Sequence, residues 1–303
     1  MSAGRTVVIA GPSDPGLAKP ISEKLGAQLV TVQEKIFPDG ELYVRISEPD
    51  IVRNSCAILV NTLYPEQNKS WIETLFLTNA LRNTGASMVI VVIPYLAYSR
   101  QDKVFLEGEP VSINVMLKAL RNAGADCLLT IDVHNPLSLR EFNGCAINIM
   151  VSDVLAKKAA EYTESPIVLA PDKGALERAR IAAEAIGAKY DYLIKKRDRV
   201  TGEVSVEPKE LSVEGKDVII IDDIISTGGT IALAAKKSLE NGAKSVVLAA
   251  SHSLLVGNAM DKIKSSGAKK LVTANTLNKK FTESIIEVVD ISNKIVDMIK
   301  TII

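Results

Sequence analysis

"LRNTGASMVIVVI", residues 81–93, is the stretch that decides the fold. A helical segment runs into Gly85, and an unbroken apolar run from Met88 to Ile93 follows. Glycine suits the position just past a helix end, where φ turns positive. A strand that is apolar throughout, instead of alternating, is buried on both faces, as in a parallel sheet covered by helices. The phrase recurs as "SEKLGAQLVTV" (22–32), "LRNAGADCLLTI" (120–131), "AEAIGAKYDYLI" (183–194), "LENGAKSVVLAA" (239–250) and "IKSSGAKKLVTA" (263–274). Helix, glycine and strand in repetition mean α/β. Three copies precede residue 150 and three follow it, so the expected architecture is two duplicated open, mainly parallel sheets flanked by helices. The expected domains are 1–147 and 148–285. In "SIIEVVDISNKIVDMIKTII" (284–303) the apolar residues fall at helical spacing, so residues 286–303 are expected to form a helix that packs on one of the domains, the N-terminal one first.

The bulk numbers exclude several classes. The 303 residues are 47% apolar and 24% charged, enough for packed cores. Lys+Arg and Asp+Glu both total 36, so no overall charge draws nucleic acid or an anionic membrane, and any anion site must be local. No run approaches the roughly 20 apolar residues that span a bilayer. "MSAGRTVVIAG" lacks the apolar length of a signal peptide. The three cysteines (Cys56, Cys127, Cys145) have no CxxC spacing and read as reduced core thiols of a cytoplasmic protein.

Ligands of open α/β sheets bind beyond the carboxyl ends of strands, which draws attention to the loops there. "VIIIDDIISTGGT" (218–230) ends an apolar strand with Asp222 and Asp223. Ser226, Thr227, Gly228, Gly229 and Thr230 follow, leading into "TIALAAKKSLENG" as a helix. Paired glycines let backbone amides approach an anion, hydroxyls donate to it, and a helix N-terminus adds partial positive charge. Carboxylates accept from sugar hydroxyls, so acids and loop together fit the two ends of a sugar phosphate.

Four other stretches carry polar groups where chemistry is expected. "FPDGE" (37–41) is a turn between strand-like segments and presents Phe37, Asp39, Gly40 and Glu41 at its tip. "IPYLAYSRQDKVFLEGEPVS" (93–112) is a long polar loop holding Arg100, Gln101 and Asp102. "LLTIDVHN" (128–135) and "IVLAPDKGALERAR" (167–180) place His134 and Asp172 after buried strands. His252, the second of the chain's two histidines, follows "SVVLAA" and is read as structural. "KKRDR" (195–199) is a basic cluster between two strand signals, either a solvated hairpin or a flap whose cations close on polyphosphate.

"VIIIDDIISTGGT" resembles the ribose 5-phosphate loop of the phosphoribosyltransferase fold. With "FPDGE", "RQD", His134 and Asp172, the whole chain resembles the ribose-phosphate pyrophosphokinase family. That resemblance implies a diphosphotransferase that moves the diphosphoryl group of ATP to the 1-hydroxyl of ribose 5-phosphate, in nucleotide biosynthesis. It implies that Phe37, Asp39, Gly40, Glu41, Arg100, Gln101 and Asp102 bind ATP, with Phe37 stacking on adenine. His134 and Asp172 are implied to hold Mg²⁺, with Mn²⁺ as the alternative, and His134 has phosphate contact as a second option. The implied flap carries a lysine, one residue and an arginine: Lys195 and Arg197 fit, and a register using Lys196 with Arg199 stays open. A homo-oligomer is implied, with the adenine site shared between subunits, and neither nucleic acid nor membrane as partner. "NPLSLREFNG" (135–144) and Ser226 depart from the family's usual run. Two rivals share the loop: a phosphoribosyltransferase, and a non-catalytic regulatory relative.

Overall fold

The computed structural model describes residues 5–197, 204–208 and 211–303. The chain divides into two units. One comprises Met1–Ile149, Asn275–Lys279 and Ile291–Ile303; the other comprises Met150–Ala274 and Lys280–Asp290.

In the first unit the elements run β1 (Thr6–Ala10), α1 (Ala18–Leu25), β2 (Gln28–Ile36), β3 (Leu42–Ile46), α2 (Pro49–Val52), β4 (Cys56–Val60), α3 (Gln67–Thr84), β5 (Met88–Ile93), α4 (Ser112–Ala123), β6 (Cys127–Ile131) and β7 (Cys145–Ile149). The second continues with α5 (Ser152–Ala160), β8 (Pro166–Ala170), α6 (Leu176–Ile186), β9 (Lys189–Arg197), β10 (Val204–Pro208), β11 (Asp217–Ile225), α7 (Gly229–Glu240), β12 (Ser245–Ser253), α8 (Ala259–Ser265), β13 (Lys270–Ala274) and β14 (Ile286–Val289). A last helix, α9 (Ser292–Ile299), belongs to the first unit.

Among the described residues the strands form two seven-stranded sheets, ordered β3-β2-β1-β4-β5-β6-β7 and β10-β9-β8-β11-β12-β13-β14. Strand for strand the orders coincide. All neighbours are parallel except the edge hairpins β2–β3 and β9–β10. Of the apolar runs that marked the repeat, β6 is buried at every residue and β5 at all but Met88, and β4 beside β5 is buried throughout. The repeated glycines 26, 85, 124, 187, 242 and 267 all have positive φ. In α1, α3, α4 and α6 that glycine is the C-cap.

Two expectations are corrected. Residues 286–303 are not one helix. Ile286–Val289 pairs in parallel with β13, and only Ser292–Ile299 is helical, packing on α1 with Lys24 Nζ donating to Ser292 Oγ (2.5 Å). Four residues of "IEVV" are too few to distinguish the two periods, and the free edge of β13 decides. Nor are all three cysteines thiols: Cys127 and Cys145 stand opposite each other in β6 and β7, Cα–Cα 4.5 Å, and are joined as a disulfide, while Cys56 is free and buried.

The β2–β3 hairpin is tied to α3 at its stem. Lys69 Nζ lies 2.5 Å from Glu34 Oε1 on β2 and 3.2 Å from Glu73 Oε1, whose side chain is fully buried. Burial raises the Glu73 pKa, outweighing hydrogen bonds from Ser13 and Lys69; the Glu34 hydrogen bond raises that of Lys69.

Two stability tests follow from this geometry. Gly124→Ala puts a Cβ 3.1 Å from the Arg82 Cβ at φ +114, and should cost about 1–3 kcal/mol in urea unfolding. Lys69→Met leaves Glu73 buried beside Glu34 with no cation, at a cost of about 3 kcal/mol. An acid whose folded pKa is raised loses folding stability as pH climbs past its unfolded value. The Lys69→Met deficit, measured by urea midpoints, should therefore be larger at pH 8 than at pH 5.

Candidate active site

In the second unit, β11 runs on to Ile225, so Asp222 and Asp223 lie within the strand, not just past it. Asp222 stands opposite Ala250 of β12. Each carboxylate accepts the next backbone amide: Asp223 N donates to Asp222 Oδ1 (2.9 Å) and Ile224 N to Asp223 Oδ1 (2.9 Å). Asp223 is buried, and Arg178 Nη2 of α6 lies 3.6 Å from its Oδ2. Asp222 is half-buried. Burial first, then the adjacent Asp223 charge, push its carboxyl well above the ordinary range, and Arg178 pulls it back.

The loop that follows is held from behind. The Ile225 and Ser226 carbonyls accept the amides of Leu255 (3.1 Å) and Val256 (3.0 Å), and Lys262 Nζ donates to the Thr227 carbonyl (3.2 Å). Gly228, at φ 73, packs so closely on α8 that a Cβ would sit 3.2 Å from the Ala259 oxygen. Around Gly229 nothing lies within 4 Å of such a Cβ. Thr227, Gly229 and Thr230 are left exposed at the first turn of α7, which is an anion cradle.

Asp172 follows β8, the neighbour of β11. The strand order reverses between these two, so the β8 and β11 loops flank a topological switch point, the usual ligand crevice of open α/β sheets. Asp172 is exposed, with Oδ1 accepting the Gly174 amide (2.8 Å) at a short 3₁₀ turn over Lys173–Ala175. An exposed carboxylate is a hard oxygen donor and fits Mg²⁺. Among the described residues no three His, Cys, Asp or Glu converge as a metal cage.

The equivalent switch point of the first unit, between β1 and β4, is filled by side chains. A Cβ on Gly11 would fall 2.3 Å from Asn61 Oδ1. That oxygen accepts the Ser13 amide (2.8 Å), Asn61 Nδ2 donates to Thr74 (2.9 Å), and Ser13 Oγ donates to Glu73 (3.0 Å).

The predicted ATP residues sit elsewhere in that unit. Phe37, Asp39, Gly40 and Glu41 form the exposed tip of the β2–β3 hairpin, closed by Phe37 N to the Glu41 carbonyl (2.8 Å) and Gly40 N to the Phe37 carbonyl (2.9 Å). Phe37 meets Tyr43 edge-on at 6.3 Å and lies 4.6 Å from Lys35 Nζ. A cavity of about 580 Å³ between tip and helix is lined by Gly40, Glu41, Leu42, Asn68, Lys69, Ile72 and Phe76.

Asn68 also bonds the Tyr98 hydroxyl, on the loop that carries Arg100, Gln101 and Asp102. Arg100 is exposed; Gln101 accepts from Ser112. Asp102 Oδ2 accepts from Asn135 Nδ2 (2.6 Å), next to the exposed His134. Hairpin, α3, "RQD" loop and His134 loop are thus one hydrogen-bonded set. His252 is buried within β12.

The flap residues Lys195, Lys196 and Arg197 close β9, where Val204, Ser205 and Val206 of β10 oppose Arg197, Lys196 and Lys195. Arg199 lies outside the described residues. The sequence did not single out Arg178, Lys262, Lys69, Asn68 or Asn135. All act through other groups of the chain, and no local motif marks such partners.

Residues 6–124 match the N-terminal domain of ribose phosphate pyrophosphokinase, and residues 146–285 match the phosphoribosyl transferase domain. The ribose-phosphate pyrophosphokinase of Sulfurisphaera tokodaii is 42% identical over 290 residues, covering 94% of this chain and 97% of that protein. The one of Pyrococcus furiosus is 42% identical over 271 residues, covering 89% and 94%. The crystal structure of phosphoribosylpyrophosphate synthetase from Mycobacterium smegmatis superposes with a TM-score of 0.87 at 28% identity over 98% of both chains. With likeness of sequence and fold along nearly its whole length, the chain belongs to the ribose-phosphate pyrophosphokinase family.

Proposed function

We propose that the protein transfers the diphosphoryl group of ATP to the 1-hydroxyl of ribose 5-phosphate, giving 5-phosphoribosyl 1-diphosphate and AMP. The observation that carries this reading is the β11 loop: a half-buried and a buried acid within the strand, then an exposed glycine–hydroxyl cradle on a helix N-terminus, in a chain that matches the family along nearly its whole length. A phosphoribosyltransferase would need the second sheet alone, and nothing favours it over the two-sheet enzyme.

Ser226, Thr227, Gly228, Gly229 and Thr230 hold the 5-phosphate, while Asp222 and Asp223 accept the ribose hydroxyls. The hairpin tip takes adenine on the Phe37 face with Asp39 and Glu41 at its edge, and Arg100, Gln101 and Asp102 address the remainder of ATP. The 1-hydroxyl oxygen attacks the β-phosphorus in line, the bond to the α-phosphate oxygen breaks, and AMP departs. Asp172 and His134 are the residues that would hold Mg²⁺, or Mn²⁺, which when bound supplies charge neutralisation on the polyphosphate. Lys195 and Arg197 are the flap pair that stabilises charge on the transferred group; Lys196 with Arg199 is the other register. No side chain is placed as a covalent nucleophile, so positioning and fixed charge carry the rate. The exposed aromatic tip and its cavity favour a homo-oligomer with a shared adenine site. No helix among the described residues is long and apolar enough to cross a membrane, and we place this ATP-consuming enzyme in the cytoplasm.

The direct test is AMP release from ATP on addition of ribose 5-phosphate with Mg²⁺. The reading predicts strict dependence on the sugar phosphate and a 1:1 yield of the diphosphate. Phosphoribosyl transfer to a base without AMP release would overturn it. Alanine at Lys195 should lower turnover by on the order of 10³, and alanine at Lys196 far less. The reverse ranking assigns the flap to Lys196. No loss in either variant or the pair removes the flap role.

A further inference from the structure

Helix α6 carries two arginines in different environments. Arg180 faces solvent, 2.7 Å from Glu177 and 2.5 Å from Glu184. Arg178 is turned inward and is only 8% exposed, on the face it shares with Ala179, Ala182 and Ala183. Those small residues let α6 lie close over β8, β9 and β11.

A guanidinium there is not filler. Arginine is almost never fully buried unless it is paired, and an apolar chain of the same volume would fill the space without the desolvation cost. The partner is Asp223, whose Oδ2 lies 3.6 Å from Arg178 Nη2, both side chains below 10% exposure. The other oxygen, Oδ1, accepts the Ile224 amide at 2.9 Å. The Asp223 carboxylate is therefore fixed at both ends, and its own amide is in turn bound by Asp222. The two acids form one unit whose geometry is set from α6.

We propose that Arg178 is a positioning residue of the ribose end of the site: it fixes the Asp223 carboxylate, and with it the spacing of the two acids that accept the ribose hydroxyls. The proposal rests on the reading of Asp222 and Asp223 as ribose-binding. Arg178 itself acts through Asp223. Its loss should therefore weaken ribose 5-phosphate selectively and leave ATP binding little changed, because Arg178 pairs with Asp223 and the residues proposed for adenine, Phe37, Asp39 and Glu41, belong to the other sheet.

The test uses the full-length protein with Arg178→Met and Arg178→Lys, each alone and in an Asp223→Asn background. Ribose 5-phosphate binding is measured by calorimetry, together with KM for both substrates and thermal midpoints. Arg178→Met should raise the Kd and KM for ribose 5-phosphate by about tenfold or more and change the KM for ATP by less than about twofold. Arg178→Lys, which keeps the charge but not the fork, should recover most of the loss. In the Asp223→Asn background Arg178→Met should add less than about twofold, because the two changes break one interaction.

If the methionine variant does not fold, Arg178→Gln replaces it under the same criteria, with Arg178→Lys as its charged reference. Unchanged ribose 5-phosphate constants, equal weakening of both substrates, or full additivity with Asp223→Asn would each overturn the proposal. If Asp222→Asn and Asp223→Asn are themselves silent toward ribose 5-phosphate, the reading of the acids fails. If they act and Arg178→Met does not, only the role of Arg178 fails.

Discussion

A parallel sheet covered on both faces gives a chain little freedom in where to put polar chemistry. Every buried amide and carbonyl of such strands is already committed to the ladder, and the side chains on both faces must be apolar. β4 obeys this at every residue, and β6 at all but Thr130. Polar groups are pushed beyond the strand ends, which is where Arg100, His134, Asp172 and the 226–230 loop stand. β11 breaks the rule by keeping Asp222 and Asp223 inside the strand. Burying two adjacent carboxylates is unfavourable unless the fold supplies partners, and it supplies the next two amides and Arg178. The two adjacent acids concentrate charge at the switch point between β8 and β11.

The duplication shows how one topology serves two ends of a reaction. Both sheets have the same strand order, and both carry an antiparallel hairpin at the same edge. In the second, the exposed residues Thr227, Gly229 and Thr230 lie beside the switch point. In the first, Asn61, Ser13 and Glu73 are hydrogen-bonded to one another beside Gly11 at the matching position. Its polar groups have moved outward, to the hairpin tip and to the loops after β5 and β6. The hairpins diverge in chemistry more than in place: one ends in Phe37 and acids, the other in Lys195, Lys196 and Arg197.

What could be read from the sequence was local. A glycine past a helix end and an apolar run are decided by neighbouring residues, so all six repeated glycines have the expected positive φ and the two-sheet α/β class was legible. The helix start after the glycine pair was legible for the same reason, since Gly228 and Gly229 directly precede or open α7. What depended on partners distant in sequence was not. Cys127 and Cys145 are separated by 18 residues but are brought together by the β6–β7 register. "IEVV" was drawn into a strand by the edge of β13. Arg178 looked like one of several charges on an amphipathic helix, and only the side it faces distinguishes it from Arg180. Lys69 likewise carries no signal until Glu34 and Glu73 are seen beside it.

These distant partners bear on how such a site can work at all. The chain has no net charge, so nothing global concentrates anions near it, and each cation must be held where it acts. Contacts of Lys69 on α3 with Glu34, of Asn68 with Tyr98, and of Asn135 with Asp102 hold hairpin and loops to their neighbours. Donors and charges fixed in advance stabilise developing charge more than mobile ones, because no reorganisation is needed during the reaction. Acid–base catalysis would need a titrating group aimed at the reacting oxygen. His252 is buried in β12, and the acids of β11 are already engaged with backbone amides and Arg178. In a site of position and charge, side chains that hold others in place, such as Arg178 behind Asp223 and Lys69 beside Glu34, matter as much as the groups they hold.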